Sequence, residues 1–104
     1  MLTVSQINAL RKEESPSDKL FASLFYALSD PGRLKALKVL LRHDEDICVS
    51  EIAAILNVST PAASRQLKIL EQGGLIDRER MGQMVCYRIN KTNPVIRILI
   101  KIIR

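Results

Sequence analysis

Residues 47–89 read ICVSEIAAILNVSTPAASRQLKILEQGGLIDRERMGQMVCYRI, and the fold class follows from this segment. Its first half carries apolar residues at helical spacing on both sides of a short break at Asn57–Ser59. After Gly73-Gly74 the apolar residues alternate with polar ones, which is typical of short strands joined by a turn. The pattern predicts a helix-turn-helix unit over 50–72, followed by a two-stranded hairpin over 75–89.

Helices are also predicted outside this stretch. Three segments place apolar residues at helical spacing, namely 4–12, 17–28 and 93–104. We expect Val4, Ile7 and Leu10 of the first segment to point inward. A further helix begins at Asp30-Pro31, because aspartate caps helices and proline at the first helical position leaves no N–H unpaired.

The order of these elements indicates the fold class. A short strand at Ile47–Val49 precedes a helix that Ser50 is expected to cap, so the order is helix, helix, strand, helix, turn, helix, hairpin. This is the winged helix-turn-helix arrangement, a mainly α fold with a small β-hairpin. At 104 residues the chain fits one domain over 1–104.

The charge balance favours a polyanionic partner. Lys and Arg outnumber Asp and Glu by 16 to 11, which gives a net charge of +5. The N-terminal residues lack the pattern of a signal peptide, and the longest apolar-rich stretch, 95–103, is too short to cross a membrane. We therefore expect a cytoplasmic protein without a membrane segment.

Candidate DNA-contacting residues lie on the second helix of the helix-turn-helix unit and on the hairpin. In this fold that helix enters the major groove, and the hairpin, or wing, lies against the DNA backbone. The candidates offer hydroxyl, amide and methyl groups and several cations: Thr60, Pro61, Ala62, Ser64, Arg65, Gln66, Lys68, Arg78, Arg80 and Gln83. A basic helix face can also be merely solvated, but here the cations cluster on the two elements that would meet DNA.

Five segments resemble the ArsR/SmtB-type repressors. Residues 27–34 (ALSDPGRL) resemble "ALADPTRL", and 47–53 (ICVSEIA) resemble "LCVCELA". Residues 58–70 (VSTPAASRQLKIL) resemble "LSQSTVSRHLKVL", while 73–76 and 85–89 resemble "AGLV" and "VYYRL". The resemblance implies a homodimeric repressor that binds an inverted-repeat operator in double-stranded DNA and is released by an inducer.

The sequence departs from the metal-sensing members of that family. Ser50 stands where they have a second cysteine after Cys48, and residues 93–104 contain no His, Asp, Glu or Cys. A hydroxyl is a poor ligand for soft metals. We expect no metal site and no cofactor.

The two cysteines form a candidate redox pair. In winged helices the short strand pairs with the second wing strand, so Cys48 and Cys86 are expected to lie close together. The alternative is that they are two small residues without chemistry. Release by a thiol or redox signal therefore stands beside release by an inducer.

The last helix predicts a dimer. Its residues 95–103 are apolar on almost every side, more than one small domain can cover, and a symmetric dimer is the commonest solution. The resemblance also implies that the first and last helices form the interface. The candidate interface residues are Leu20, Leu24, Val95, Ile96, Leu99, Ile100 and Ile103.

The sequence also bears on two other function classes, an enzyme and a protein-interaction module. An enzyme is not expected, because no catalytic motif occurs and His43 has no plausible nucleophile partner. A winged-helix protein-interaction module without DNA binding is the alternative, since fold alone does not exclude it. Exposed cations on the DNA-facing elements argue against that module, because protein-binding versions do not need a basic recognition face.

Overall fold

The computed structural model describes residues 1–103, within which the chain forms six helices and three strands. The helices are α1 (Val4–Lys12), α2 (Asp18–Leu28), α3 (Pro31–Arg42), α4 (Val49–Leu56), α5 (Thr60–Gln72) and α6 (Val95–Ile103). The strands are β1 (Ile47–Cys48), β2 (Ile76–Met81) and β3 (Met84–Ile89). The predicted winged helix-turn-helix order is confirmed. Arg104, the last residue of the predicted C-terminal helix, lies outside the described residues.

The sheet is antiparallel with strand order β1-β3-β2. The short strand β1 pairs with β3 at Ile47↔Tyr87 and Cys48↔Cys86, as expected for this fold. Strands β2 and β3 form the wing, and Gly82-Gln83 connects them. Gly82 has a φ of +65°, and a glycine at the first position of a two-residue loop is characteristic of a type II′ hairpin turn.

The core lies where α3, α4 and α5 meet one face of the sheet. Its largest residues are almost completely buried: Leu37, Leu40, Ile52, Leu67, Leu70, Leu75, Ile76 and Tyr87. The predicted inward residues of α5, Ala63, Leu67 and Leu70, all belong to this core. Because α2, α3, α4 and β2 all contact α5, its orientation is fixed by packing on one side and its other side is left free.

Helix caps explain most helix starts. Asp30 Oδ2 accepts from the Arg33 N–H at 3.0 Å, as predicted for the Asp30-Pro31 start. The prediction that Ser50 caps α4 is wrong, because the N-cap is Cys48, two residues earlier, and the helix begins at Val49. The Glu51 carboxylate accepts from the Cys48 N–H at 3.0 Å and satisfies the backbone at that end instead. Ser17 precedes α2 but makes no capping hydrogen bond through its side chain.

Helix α1 forms as predicted but does not pack as predicted. Thr3 and Gln6 form a capping box, with Gln6 N–H donating to Thr3 Oγ1 at 3.1 Å and Thr3 N–H donating to Gln6 Oε1 at 2.8 Å. Val4, Ile7 and Leu10 are nevertheless exposed, so the expected inward face is wrong for a single protomer. The apolar pattern predicted a helix face, but no element of the same protomer buries it.

Candidate nucleic-acid interface

Helix α5 is anchored at its start and along one side. Ser59 Oγ accepts from the Ala62 N–H at 3.2 Å, and Pro61 occupies the first turn. Asn57 adopts the left-handed conformation, with a φ of 56°, and allows the tight turn from α4. This turn brings the two helices together in the geometry that a helix-turn-helix unit requires.

The side of α5 that faces away from the core carries most of the predicted contacts. Thr60, Pro61, Arg65 and Lys68 are exposed, whereas Ala62 and Ser64 are half-buried. The exposed groups lie towards the N-terminal part of the helix. Two cations, a hydroxyl and the free N-terminal region of a helix together suit phosphate and base-edge contacts.

Gln66 was predicted to contact DNA, but both ends of its amide are engaged within the protein. Its Oε1 accepts from Arg33 Nη1 at 2.7 Å, and its Nε2 donates to Asp30 Oδ2 at 3.2 Å. The position is three residues after Ala63 and four before Leu70, which places it beside the buried stripe. Gln66 therefore joins α5 to the start of α3 within the protomer, and its contact with DNA stays a prediction.

Arg33 is the centre of this network and was missed by the sequence analysis. Only 6% of Arg33 is exposed. Its Nε donates to the Ala27 carbonyl at 3.0 Å, its Nη2 donates to the Tyr26 carbonyl at 2.9 Å, and its guanidinium lies 5.0 Å from the centre of the Tyr26 ring. These bonds satisfy a buried cation and tie α2, α3 and α5 together.

The wing also presents cations. Arg78 and Arg80 are exposed, two residues apart on one face of β2, and Gln83 is exposed at the tip. Glu79 points to the opposite face, where its carboxylate lies 3.0 Å from Arg88 Nη1. Tyr87, opposite Arg78 in the register, is buried, and this burial is the main cause that raises the pKa of its phenol. A buried ring thus lies beside Arg78 on the same face of the wing.

The two cysteines lie opposite each other in the sheet, as expected. Their Cα atoms are 3.8 Å apart, and a disulfide joins Cys48 on β1 to Cys86 on β3. Cys48 is half-buried, whereas Cys86 is completely buried. Within residues 1–103 no group of three or more His, Cys, Asp or Glu side chains is arranged to hold a metal ion.

The candidate interface residues divide into two sets. Leu24, Ile96 and Leu99 were predicted to meet a partner, but they are buried in the protomer's own core, so these predictions are corrected. Val95, Ile100 and Ile103 pack partly against that core. Helical spacing does not distinguish a face buried within the protomer from one buried by a partner.

The apolar residues that are exposed enough to contact a partner lie mainly at other positions of α2 and α6. Six on α2 and α6 are at least 50% exposed: Leu20, Phe21, Phe25, Tyr26, Ile98 and Ile102. Of these only Leu20 was predicted. The rings of Phe21 and Phe25 stack with centroids 6.5 Å apart, so an aromatic pair at i, i+4 was the available sequence signal.

Comparisons with known proteins agree with this architecture. A model of the bacterial regulatory proteins of the arsR family matches residues 30–78. A transcriptional repressor SmtB homolog from Synechocystis sp. is 33% identical, over 86% of this chain and 67% of its own length. The transcriptional repressor SdpR from Bacillus subtilis is 39% identical, over 67% of this chain and 76% of its own length.

Solved structures give the same result. The solution structure of a homodimeric winged helix-turn-helix DNA-binding domain from Mycobacterium bovis, a possible ArsR-family regulator, superimposes with a TM-score of 0.72. The identity is 26%, and the match covers 86% of this chain and 84% of that one. In the part of the chain that the structure describes, no helix is long and apolar enough to span a membrane. The fold, the family model and these relatives together show that the chain belongs to the ArsR family of bacterial transcriptional regulators.

Proposed function

We propose that the chain is a homodimeric repressor that binds an inverted-repeat operator in double-stranded DNA and is released by an inducer or a thiol signal. Helix α5 enters the major groove by its N-terminal half, and the wing lies on the neighbouring backbone. The protein acts by binding rather than by catalysis, and we expect it to act in the cytoplasm. The proposal covers one domain over 1–104.

The observation that carries this proposal is the position of the cations. Arg65 and Lys68 are exposed on the side of α5 that packing leaves free, while Arg78 and Arg80 are exposed on the wing. These are the two elements that a winged helix presents to a duplex. Thr60, Pro61, Ala62, Ser64 and Gln83 are the proposed neutral contacts around them.

The dimer is supported by the apolar side chains that one protomer leaves uncovered. Soluble monomers rarely expose large apolar patches, and α2 and α6 together carry six such residues. A twofold dimer would cover them and set two copies of α5 roughly 34–36 Å apart, one turn of DNA. The proposed partner-facing residues are Leu20, Phe21, Phe25, Tyr26, Ile98 and Ile102, beside the partly buried Val95, Ile100 and Ile103.

Arg65→Ala tests the proposal directly. A base-directed arginine contributes about 1–3 kcal/mol, so we expect operator binding to weaken by that amount, with little change on random duplex DNA. Arg42→Ala is the matched control. Arg42 is exposed at the C-terminal end of α3, and its substitution removes the same charge. Operator affinity that falls equally in both variants, or in neither, would show that α5 does not read the DNA.

A further inference from the structure

We propose that Cys48 and Cys86 form a reversible dithiol–disulfide site that controls how firmly the DNA-facing segment is held, with the disulfide form binding DNA more tightly. This inference rests on the proposed DNA-binding function and adds its regulation. It draws on three observations: the place of the disulfide in the sheet, the segment that it encloses, and the unequal burial of the two cysteine residues.

The disulfide lies where the wing meets the helix-turn-helix unit. Strand β1 is two residues long and leads directly into α4, whose first residue is Val49. Cys86 lies in β3, and its other neighbour across the sheet is Glu79, between the two exposed wing arginines. The bond therefore joins the strand that precedes α4 to the centre of the wing.

The same bond closes a loop around the proposed DNA-contacting residues. Its two cysteines are 38 residues apart, and the segment between them contains α4, α5, β2 and the wing tip. All the proposed contacts, from Thr60 to Gln83, fall inside this loop. A cross-link restricts the conformations of the unfolded loop and opposes local opening, so it favours the arrangement in which α5 and the wing are both in place.

The unequal burial of the two cysteines determines which one reacts first with an oxidant. Cys48 is half-buried and Cys86 is completely buried, so an oxidant in solution reaches Cys48 first. The oxidant is a low-molecular-weight disulfide, written RSSR. The Cys48 thiolate attacks one sulfur of RSSR and forms Cys48–S–S–R, which releases RS⁻. The Cys86 thiolate then attacks Cys48 Sγ, forms the protein disulfide and displaces a second RS⁻.

Atoms and electrons balance over these two steps. Two electrons pass from the cysteine pair to RSSR, and the two thiol protons leave with the two RS⁻ groups as RSH. Excess RSH reverses both steps, and the exposed side of Cys48 is again the point of attack. The site thus responds to the ratio of RSSR to RSH.

Thiol trapping in glutathione buffers tests the site without DNA. We expect wild-type protein to interconvert between two free thiols and none, as counted by alkylation and mass spectrometry. Cys86→Ala should stop at one glutathione on Cys48, while in Cys48→Ala the buried Cys86 should react only after unfolding in urea. If either variant fails to fold, acid trapping of the wild-type intermediate and peptide mapping locate the first glutathione. A pair that stays reduced, or a glutathione that appears first on Cys86, overturns the proposal.

Melting and DNA binding test the consequence. The oxidised protein should melt at a higher temperature than the reduced protein and bind labelled random-sequence duplex DNA several-fold more tightly. Cys48→Ala should give the same values in both buffers. Equal affinities of oxidised and reduced wild type overturn the regulatory role even if the disulfide forms. Absence of DNA binding by both forms would instead refute the proposed function and the regulation that rests on it, while thiol trapping still decides whether the dithiol site exists.

Discussion

Arg33 fixes the recognition helix α5 against the rest of the domain. It is a buried cation whose bonds reach the Ala27 and Tyr26 carbonyls and the Gln66 amide. Gln66 in turn donates to Asp30, which caps α3. A buried polar network of this kind stabilises the fold only while every member keeps its partner.

Removal of Arg33 should therefore destabilise the protein. We expect Arg33→Met to cost about 2–4 kcal/mol, because it removes the side-chain donor to the Gln66 oxygen and to the Ala27 carbonyl, whereas the Tyr26 carbonyl still accepts from Ser29. Arg42→Met, at an exposed position on the same helix, should stay within about 0.5 kcal/mol. Urea unfolding followed by circular dichroism measures both. Equal midpoints for the two variants would mean that the network contributes no stability.

The response to metal ions depends on two side chains, Cys48 and Ser50. Ser50 offers a hydroxyl in place of a second thiolate, and Cys48 is joined to Cys86. We expect low-micromolar zinc or cadmium to leave DNA binding unchanged, in oxidised and in reduced protein. Fluorescence anisotropy with a labelled duplex provides the measurement. Release by stoichiometric metal, lost in Cys48→Ser, would contradict this expectation.

Individual residues show where sequence reasoning succeeds and where it stops. The periodicity of α5 correctly placed Ala63, Leu67 and Leu70 in the core and Arg65 outside. The role of Gln66 depends on Arg33, which is 33 residues away in the chain. Local spacing carries no information about such a partner, so the pairing became visible only in three dimensions.

At the scale of elements, the wing and α5 are expected to divide the work of DNA binding. Arg78 and Arg80 are exposed on one face of a short strand, and we expect them to contact phosphates rather than base edges. Arg65, in the N-terminal half of a packed helix, is better placed for bases. The two elements should therefore respond differently to substitution and to salt.

Arg78→Ala and Arg80→Ala should weaken binding to operator and random DNA by about the same factor. Each removes one phosphate contact, so the slope of log affinity against log salt should fall by about 1. Titrations at several salt concentrations measure this slope, and Arg42→Ala serves again as the charge control. A wing variant that lost operator binding but kept its random-DNA affinity would indicate base contacts from the wing instead.

Elements also differ in how far the sequence predicted them. The change of period after Gly73-Gly74 identified the wing, and the register then placed Cys48 opposite Cys86 as expected. The N-cap of α4 was misplaced by two residues, because the Glu51 side chain rather than Ser50 satisfies the backbone there. Competing caps within one turn cannot be ranked from residue preferences alone.

At the scale of the whole molecule, the protomer is elongated and incompletely covered. Its extents are 59 × 26 × 24 Å, and no residue of α1 is buried. The sequence correctly indicated that an apolar helix surface exceeds what one domain can cover. It misassigned Leu24, Ile96 and Leu99, because the side facing the protomer's own core and the side facing a partner are both apolar.

A charge on the uncovered apolar surface should therefore break the dimer. We expect Phe25→Glu to shift the protein from dimer to monomer at micromolar concentration while the fold remains intact, since Phe25 is 65% exposed. Operator affinity should fall because the dimer is lost, although Phe25 lies outside α5 and the wing. Ile55→Glu is the control, an exposed isoleucine on α4 that receives the same charge. Sedimentation that gives a dimer for Phe25→Glu, or a monomer for the unmodified protein, would contradict the proposed interface.

Selection of bound sequences from a randomised pool of duplex DNA by the unmodified protein measures whether the chain recognises a specific sequence. Two α5 helices related by a twofold axis should enrich an inverted repeat whose half-site centres are roughly one helical turn, 10–10.5 base pairs, apart. Arg65→Ala, carried through the same selection, should lose the enrichment. A pool that remains random after selection with the unmodified protein would contradict the account of this chain as a sequence-specific DNA-binding regulator.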